Sequence, residues 1–104
     1  MRPGGGMTMN SLAALQELVP ELGELLERRY SLLRVIRNQG PIGRRFIATQ
    51  VGISERVTRG ELVILREQGL IQTSSLGVKL TPEGDQVFVT LQDVVREFYN
   101  LEYL

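Results

Sequence analysis

The stretch from Pro41 to Leu70 constrains the fold more than any other part of the chain. A helix-compatible run, Pro41-Ile42-Gly43-Arg44-Arg45-Phe46-Ile47-Ala48-Thr49-Gln50-Val51, is followed by Gly52-Ile53 and then by a second run from Ser54 to Gln68, closed by Gly69-Leu70. Glycine takes the left-handed conformation of a helix C-terminus without a Cβ penalty, so Gly52 reads as a stop. A serine hydroxyl accepts a hydrogen bond from an otherwise orphaned N–H of a first helical turn, so Ser54 reads as a start. A stop and a start this close force two helices into a sharp turn, the geometry of a helix-turn-helix. On the second helix Thr58, Glu61, Leu62 and Leu65 share one face that can seat on a core, while Glu55, Arg56, Arg59 and Arg66 fall largely on the other sides. A helix held from behind, with arginines near its exposed N-terminal end, suits the major groove of double-stranded DNA.

Charge supports that reading only when it is mapped along the chain. The formal net charge is zero, with 12 basic and 12 acidic residues. Between Arg28 and Arg66, however, nine arginines (Arg28, Arg29, Arg34, Arg37, Arg44, Arg45, Arg56, Arg59 and Arg66) face only Glu55 and Glu61, a local excess of seven positive charges. Glu17, Glu21, Glu24 and Glu27 precede this stretch, and mostly Glu or Asp follow it. Local potential rather than the total steers a polyanion. A solvated, arginine-rich surface is the plainer reading of the same run.

The other segments fit around the helix pair. Residues 1–9, with Gly4-Gly5-Gly6, read as a flexible leader. Asn10 or Ser11 can cap a short helix carrying Leu12, Leu15, Leu18 and Val19, and Pro20 separates it from a helix over residues 21–38. That helix carries Leu22, Leu25, Leu26, Leu32, Leu33 and Ile36, with glutamates first and arginines last, as the helix dipole favours. Phe46, Ile47 and Val51 are expected to bury the first helix of the pair. Leu70 to Thr73 and Val78 to Thr81 alternate as strands around Ser74-Ser75-Leu76-Gly77, a small hairpin or wing. Thr81-Pro82-Glu83 opens a last helix with Val87, Phe88, Leu91, Val94, Val95, Phe98 and Leu101 in a stripe. Part of that stripe is expected to pair with a second subunit or a further domain; the alternative is packing on the first long helix. The fold class is therefore mostly α with a small β-hairpin, a winged helix-turn-helix, divided into the leader, a DNA-binding domain over 10–84 and a dimerisation or linker helix over 85–104.

Enzymatic and membrane readings are poor. A chain without Cys or His has no thiol nucleophile, disulfide, zinc finger or histidine base, and neither a metal nor another cofactor is expected. Asp85 and Asp93 lack a catalytic partner, and Gly4-Gly5-Gly6 is not followed by the Lys-Ser/Thr of a phosphate loop. No apolar run approaches the ~20 residues of a membrane span, and no secretory leader is seen, in keeping with a cytoplasmic protein.

The runs Ile42-Gly43-Arg44-Arg45, Gly52-Ile53-Ser54-Glu55-Arg56-Val57 and Arg59-Gly60-Glu61, with Leu65-Arg66-Glu67-Gln68-Gly69-Leu70-Ile71 and Leu80-Thr81-Pro82-Glu83-Gly84, carry a resemblance. From about Leu18 to Gly84 the chain resembles the DNA-binding domain of the central glycolytic genes regulator family, bacterial repressors of the sugar-responsive SorC/DeoR type. Gly69-Leu70-Ile71 is common to many winged helices; Ile42-Gly43-Arg44-Arg45 and Ser54-Glu55-Arg56-Val57 are more specific. Thr58 departs from the pattern, standing where related sequences tend to have an aliphatic residue. The resemblance implies a transcriptional repressor whose effector domain, for a sugar phosphate such as fructose 1,6-bisphosphate, lies beyond Leu104, so no effector residue is assigned here. A winged helix used only for protein–protein contact is the rival reading.

The candidate DNA-binding residues are Arg44, Arg45, Ser54, Glu55, Arg56, Val57, Arg59 and Lys79. Arg56 and Arg59 can each donate two hydrogen bonds to a guanine edge. Glu55 can accept from a cytosine amino group or orient Arg59. Val57 is either core or a contact for a thymine methyl. Ser54 is a cap that can also meet a phosphate. Arg44, Arg45 and Lys79 are phosphate candidates. Arg28, Arg29, Arg34 and Arg37 can simply complement the C-terminal half of their own helix.

Overall fold

The computed structural model describes residues 9–102, with side chains over 11–100. Its elements are α1 (Met9–Leu18), α2 (Leu22–Gln39), α3 (Arg44–Val51), α4 (Glu55–Glu67), β1 (Ile71–Ser74), β2 (Gly77–Leu80) and α5 (Pro82–Glu102). This is the mostly helical winged helix-turn-helix expected from the sequence. Residues 1–8 of the expected leader lie outside the described residues. Met9 already belongs to α1, so Asn10 and Ser11 sit inside the helix rather than capping it. No helix among the described residues is long and apolar enough to cross a membrane.

The spine is α2, which packs on α5, α3 and β2. Its Leu32, Leu33, Val35 and Ile36 are buried together with Ile47 of α3, Leu62 and Leu65 of α4, Leu70, Ile71 and Val78 at the hairpin, and Phe88 of α5. Leu22, Leu25 and Leu26, nearer the start of α2, are only half-buried. One expectation fails on α3: Phe46 is 69% exposed. The inward face of α3 is set by Ile47, the adjacent Ala48 and the half-buried Val51, one turn after Ile47; Phe46 is rotated about 100° away from Ile47 and clears the body.

Both strands lie one residue closer to the turn than the alternation predicts, β1 one residue later and β2 one residue earlier, with Ile71 opposite Leu80 and Ser74 opposite Gly77. Ser74 is drawn into the ladder because its hydroxyl accepts from the Leu76 N–H at 3.1 Å, leaving only Ser75 and Leu76 to turn. Gly77 has φ +123°, and a Cβ on it would come within 2.8 Å of the Ile42 backbone. That close approach lets Ile42 exchange both hydrogen bonds with Val78, at 2.9 and 2.8 Å, so the segment between α2 and α3 becomes a short third partner of the wing. A two-stranded hairpin is marginal alone. Here it is tied in on one edge by Ile42 and at its ends by Thr81.

Thr81 joins three elements. Its hydroxyl donates to the Gly69 carbonyl at 2.6 Å and accepts from the Gly84 N–H at 3.0 Å, and its own N–H donates to the Leu70 carbonyl at 3.1 Å. The exit from α4, the end of β2 and the first turn of α5 thus share one buried side chain. From there α5 runs back along α2 and α1. Phe88, Val95 and Phe98 of its stripe are buried, Leu91 and Val94 half-buried, and Val87 exposed, while the Leu101 side chain lies outside the described residues. Intramolecular packing therefore takes up the better part of the stripe. Tyr30 of α2 stacks on Phe88 with ring centroids 5.3 Å apart, and Arg37 lies over the other aromatic partner, 4.9 Å from the Phe88 centroid.

The tightest backbone approach in this junction is at Gly84, where an added Cβ would overlap the Leu70 carbonyl oxygen. Gly84→Ala is expected to lower stability by about 1–3 kcal/mol, as overpacking of a tight site does. At this chain length that is a drop in thermal midpoint of about 4–8 °C per kcal/mol, measurable by circular dichroism.

Candidate nucleic-acid interface

The turn between α3 and α4 has the geometry its residues dictate. Gly52 ends α3 in the left-handed region at φ +79°, its N–H donating to the Ala48 carbonyl. Ser54 caps α4: its side-chain oxygen accepts from the Val57 N–H at 3.1 Å. The Ser54 carbonyl in turn accepts from the Thr58 hydroxyl at 2.8 Å. Thr58 is fully buried, yet its hydroxyl is satisfied within the first turn. The departure from an aliphatic residue therefore leaves no stranded polar group beneath α4.

The inner face of α4 is Thr58, Glu61, Leu62 and Leu65, all buried. The carboxylate on that face is held by α2. Arg29 Nε donates to Glu61 Oε2 at 2.8 Å, and Arg28 lies 3.5 Å from Glu61 Oε1 while also reaching Glu24 at 4.0 Å. The Glu61 side chain is 8% exposed, whereas those of Arg28 and Arg29 keep roughly a third of their surface in water, 32% and 29%. A carboxylate buried this deeply needs such partners. Apolar contact alone has no preferred direction; this pair of ionic contacts fixes how α4 is rotated on α2.

The outer side of α4 carries the arginines. Arg56, Arg59 and Arg66 are exposed and make no ion pair among the described residues. Their spacings of three and seven place them along one ridge, with the exposed Val63 between Arg59 and Arg66. At 1.5 Å per residue the ridge is about 15 Å long. Val57 is on the solvent side at 38% exposure, which removes the core reading of that residue. Arg44 is exposed at the start of α3. Arg45 is 85% exposed at the side chain but lies 3.6 Å from Glu55. Glu55 therefore pairs across the turn with Arg45 rather than with Arg59, as the sequence suggested. The entry turn of α4 directs Glu55 back toward α3, where Arg45 projects beside it. Lys79 is exposed on β2, opposite Gln72.

The run of nine arginines is not one patch. Arg28 and Arg29 are committed to Glu61, Arg37 donates to Asp85 at 2.6 Å, and Arg34 lies 5.6 Å from the Tyr30 centroid. Arg28, Arg29 and Arg37 thus tie α2 to carboxylates on other elements, whereas Arg34 is exposed and meets a ring of its own helix. Apart from Arg34 on α2, the cations without a carboxylate partner among the described residues are Arg44, Arg56, Arg59, Arg66 and Lys79, with Arg45 loosely paired, and they lie on α3, α4 and the hairpin. Sequence reasoning placed Glu61 on the buried face but missed its role. The available signal was a carboxylate among leucines, which demands a cationic partner from elsewhere in the chain.

With this geometry in view, comparison with known proteins is specific. A family described as the CggR N-terminal DNA binding domain matches residues 25–95. The chain is 41% identical over 97 residues to the central glycolytic genes regulator of Priestia megaterium, and 39% identical over 97 residues to that of Bacillus subtilis. Each alignment covers 92% of this chain and 28% of the relative, so the chain spans little more than a quarter of their length. Among solved structures, a Listeria innocua protein of unknown function superposes with a TM-score of 0.62 at 20% identity, covering 84% of this chain and 68% of that one. At that identity the likeness concerns the fold alone.

Two substitutions probe how α4 is held. Glu61→Gln keeps the side-chain shape and removes the charge. It is expected to lose about 1–3 kcal/mol in urea unfolding, less than a fully buried pair because Arg28 and Arg29 can turn to water. Ser54→Ala removes the cap acceptor and is expected to lose about 1 kcal/mol by the same measurement.

Proposed function

The chain belongs to the CggR N-terminal DNA binding domain family, and from that premise we propose that it is the operator-reading part of a sugar-phosphate-responsive repressor of central glycolytic genes. Membership makes it a DNA-binding domain of a transcriptional regulator. The finer reading rests on one observation: the recognition helix α4 carries three unpaired arginines on the side away from its buried face.

In this mechanism α4 enters the major groove. Arg56 and Arg59, near its N-terminus, donate to guanine edges, and Val57 packs on a thymine methyl. Glu55 is shared between Arg45 and a cytosine amino group, so its pairing with Arg45 loosens when the groove is occupied. Arg44, Arg45 and Ser54 meet phosphates beside the groove, and Lys79 meets one from the hairpin. Phosphate contacts set register and base contacts set sequence preference. Residues 10–84 form the DNA-binding unit. The helix from 85 onward links it to an effector domain, where fructose 1,6-bisphosphate is the expected ligand, and contributes to a homodimer that spaces two half-sites. The work of such a repressor lies in the cytoplasm.

Binding to duplex DNA is expected to weaken steeply with salt, with log Kd rising by about 0.9 per phosphate neutralised for each unit of log salt. Fluorescence anisotropy from 50 to 200 mM salt measures it; no binding at any salt would overturn the reading. Arg56→Ala combined with Arg59→Ala is expected to erase sequence preference, about 1–3 kcal/mol for each lost bidentate contact. Preference that survives intact in a selection from random duplexes would remove both residues from base readout.

A further inference from the structure

The cationic ridge of α4 does not stop at the bases. Arg66, in the last helical turn, opens onto a cleft of about 510 Å3 between the end of α4 and the hairpin, and Lys79 lines the same cleft. Strand register explains how they meet. Lys79 pairs with Gln72 and Ser74 with Gly77, so Gln72, Ser74 and Lys79 share the outward face of the hairpin, away from the buried Ile71 and Val78. These three line the cleft together with Ile71 and Thr73 of β1, and Arg66 lines it from the end of α4. Pro41 and Leu76 add apolar surface, and Leu76 is 77% exposed at the turn with no packing role inside the domain. Neither Arg66 nor Lys79 has a carboxylate partner among the described residues.

Two clear cations, neutral hydrogen-bonding side chains and an apolar rim make a specific chemical combination. The cleft also lies at the end of the ridge of Arg56, Arg59 and Arg66, so the polyanion that meets α4 is led to it. A nucleotide backbone matches cations and rim alike, because its phosphate is anionic and its deoxyribose has an apolar face. We propose that this cleft grips a single phosphodiester of the bound DNA strand, pinched between Arg66 and Lys79, with the adjoining deoxyribose lying on Leu76. The proposal rests on the DNA-reading role of α4 and extends it, because it assigns Arg66 to backbone and not to base readout. It also gives the exposed leucine of the wing a purpose. The strand that leaves the groove past Arg59 is caught at the end of the same ridge.

Salt dependence counts the phosphates. The whole chain is titrated with a fluorescein-labelled 25-base-pair duplex of arbitrary sequence, which suffices because the contact is independent of base identity. Arg66→Ala and Lys79→Ala are measured singly and together, alongside the unaltered chain. Both side chains are exposed, so thermal midpoints are expected to be unchanged and a folding loss is read directly from them. The double variant is expected to bind about fivefold to tenfold more weakly at 100 mM salt, with a log–log salt slope shallower by about 0.9, the value for one phosphate. Leu76→Gln is expected to weaken binding with no change in slope. A slope shallower by about 1.8 would mean two separate phosphates and would overturn the pinch. An unchanged slope in the double variant, with the unaltered chain still binding, would remove the cleft from the DNA path and leave the role of α4 intact. Absence of binding by the unaltered chain would defeat both.

Discussion

The buried face of α4 is the constraint on which the rest of the molecule depends. A helix that must show arginines to solvent has to be held entirely from behind, and this one has only Thr58, Glu61, Leu62 and Leu65 for the purpose. The two leucines supply burial, which favours contact but not a particular rotation. Direction comes from the polar pair. The Thr58 hydroxyl is spent on the Ser54 carbonyl, and the Glu61 carboxylate is spent on Arg28 and Arg29. A buried ion pair is a poor argument for stability, since well-packed apolar residues often do as well. What it supplies here is an orientation that an apolar side chain does not specify. Arg56 and Arg59 face outward because Glu61 faces in.

Local chemistry made the helix pair legible in the sequence. The Gly52 stop, the Ser54 cap and the four-residue inner face of α4 are all short-range features, and the structure has each of them. The wing was legible in kind, but its turn was read one residue too long at each end, because the hydrogen bond from Leu76 to Ser74 and the approach of Gly77 to Ile42 are details that alternation does not encode. Phe46 was misread because large apolar residues are usually buried, and nothing local reveals that Ala48 takes the inward position instead. The ion pairs were the least legible part. Glu61 meets partners 32 and 33 positions away, and Asp85 meets Arg37 across 48. A charge count along the chain treats these arginines as one patch; only the packing of α2 against α4 and α5 separates them.

That separation resolves an apparent conflict between a neutral chain and a polyanionic ligand. Arginines that pair internally add nothing to the field over α4, and the acids that pair with them add nothing against it. Glu61 sits between Arg28 and Arg29, and Arg28 also reaches Glu24, so two carboxylates balance the two guanidiniums. Arg37 and Asp85 neutralise each other beside the Phe88 ring. Apart from Arg34 on α2, the clear cations then stand on α3, α4 and β2, while Glu17 on α1 and Glu21 just before α2 are exposed. A molecule with zero net charge can thus present a positive side and an acidic end. That arrangement orients an approaching duplex as well as attracting it.

The same helix that holds α4 also holds α5, and it does so with different faces. Tyr30, Arg34 and Arg37 recur at spacings of four and three, so they share one face of α2, where they meet Phe88 and Asp85. Arg28 and Arg29 point to the other side, toward Glu61. The spine therefore separates its two loads. Polar, directional contacts grip α4, and a stacked aromatic pair flanked by guanidiniums grips α5. Thr81 closes the loop, joining the end of α4 to the start of α5 through one hydroxyl. Two independent connections run between α4 and α5, one through α2 and one through Thr81. Beyond these links, α5 is held along its length by the Tyr30–Phe88 stack, the Arg37–Asp85 pair and the burial of Val95 and Phe98.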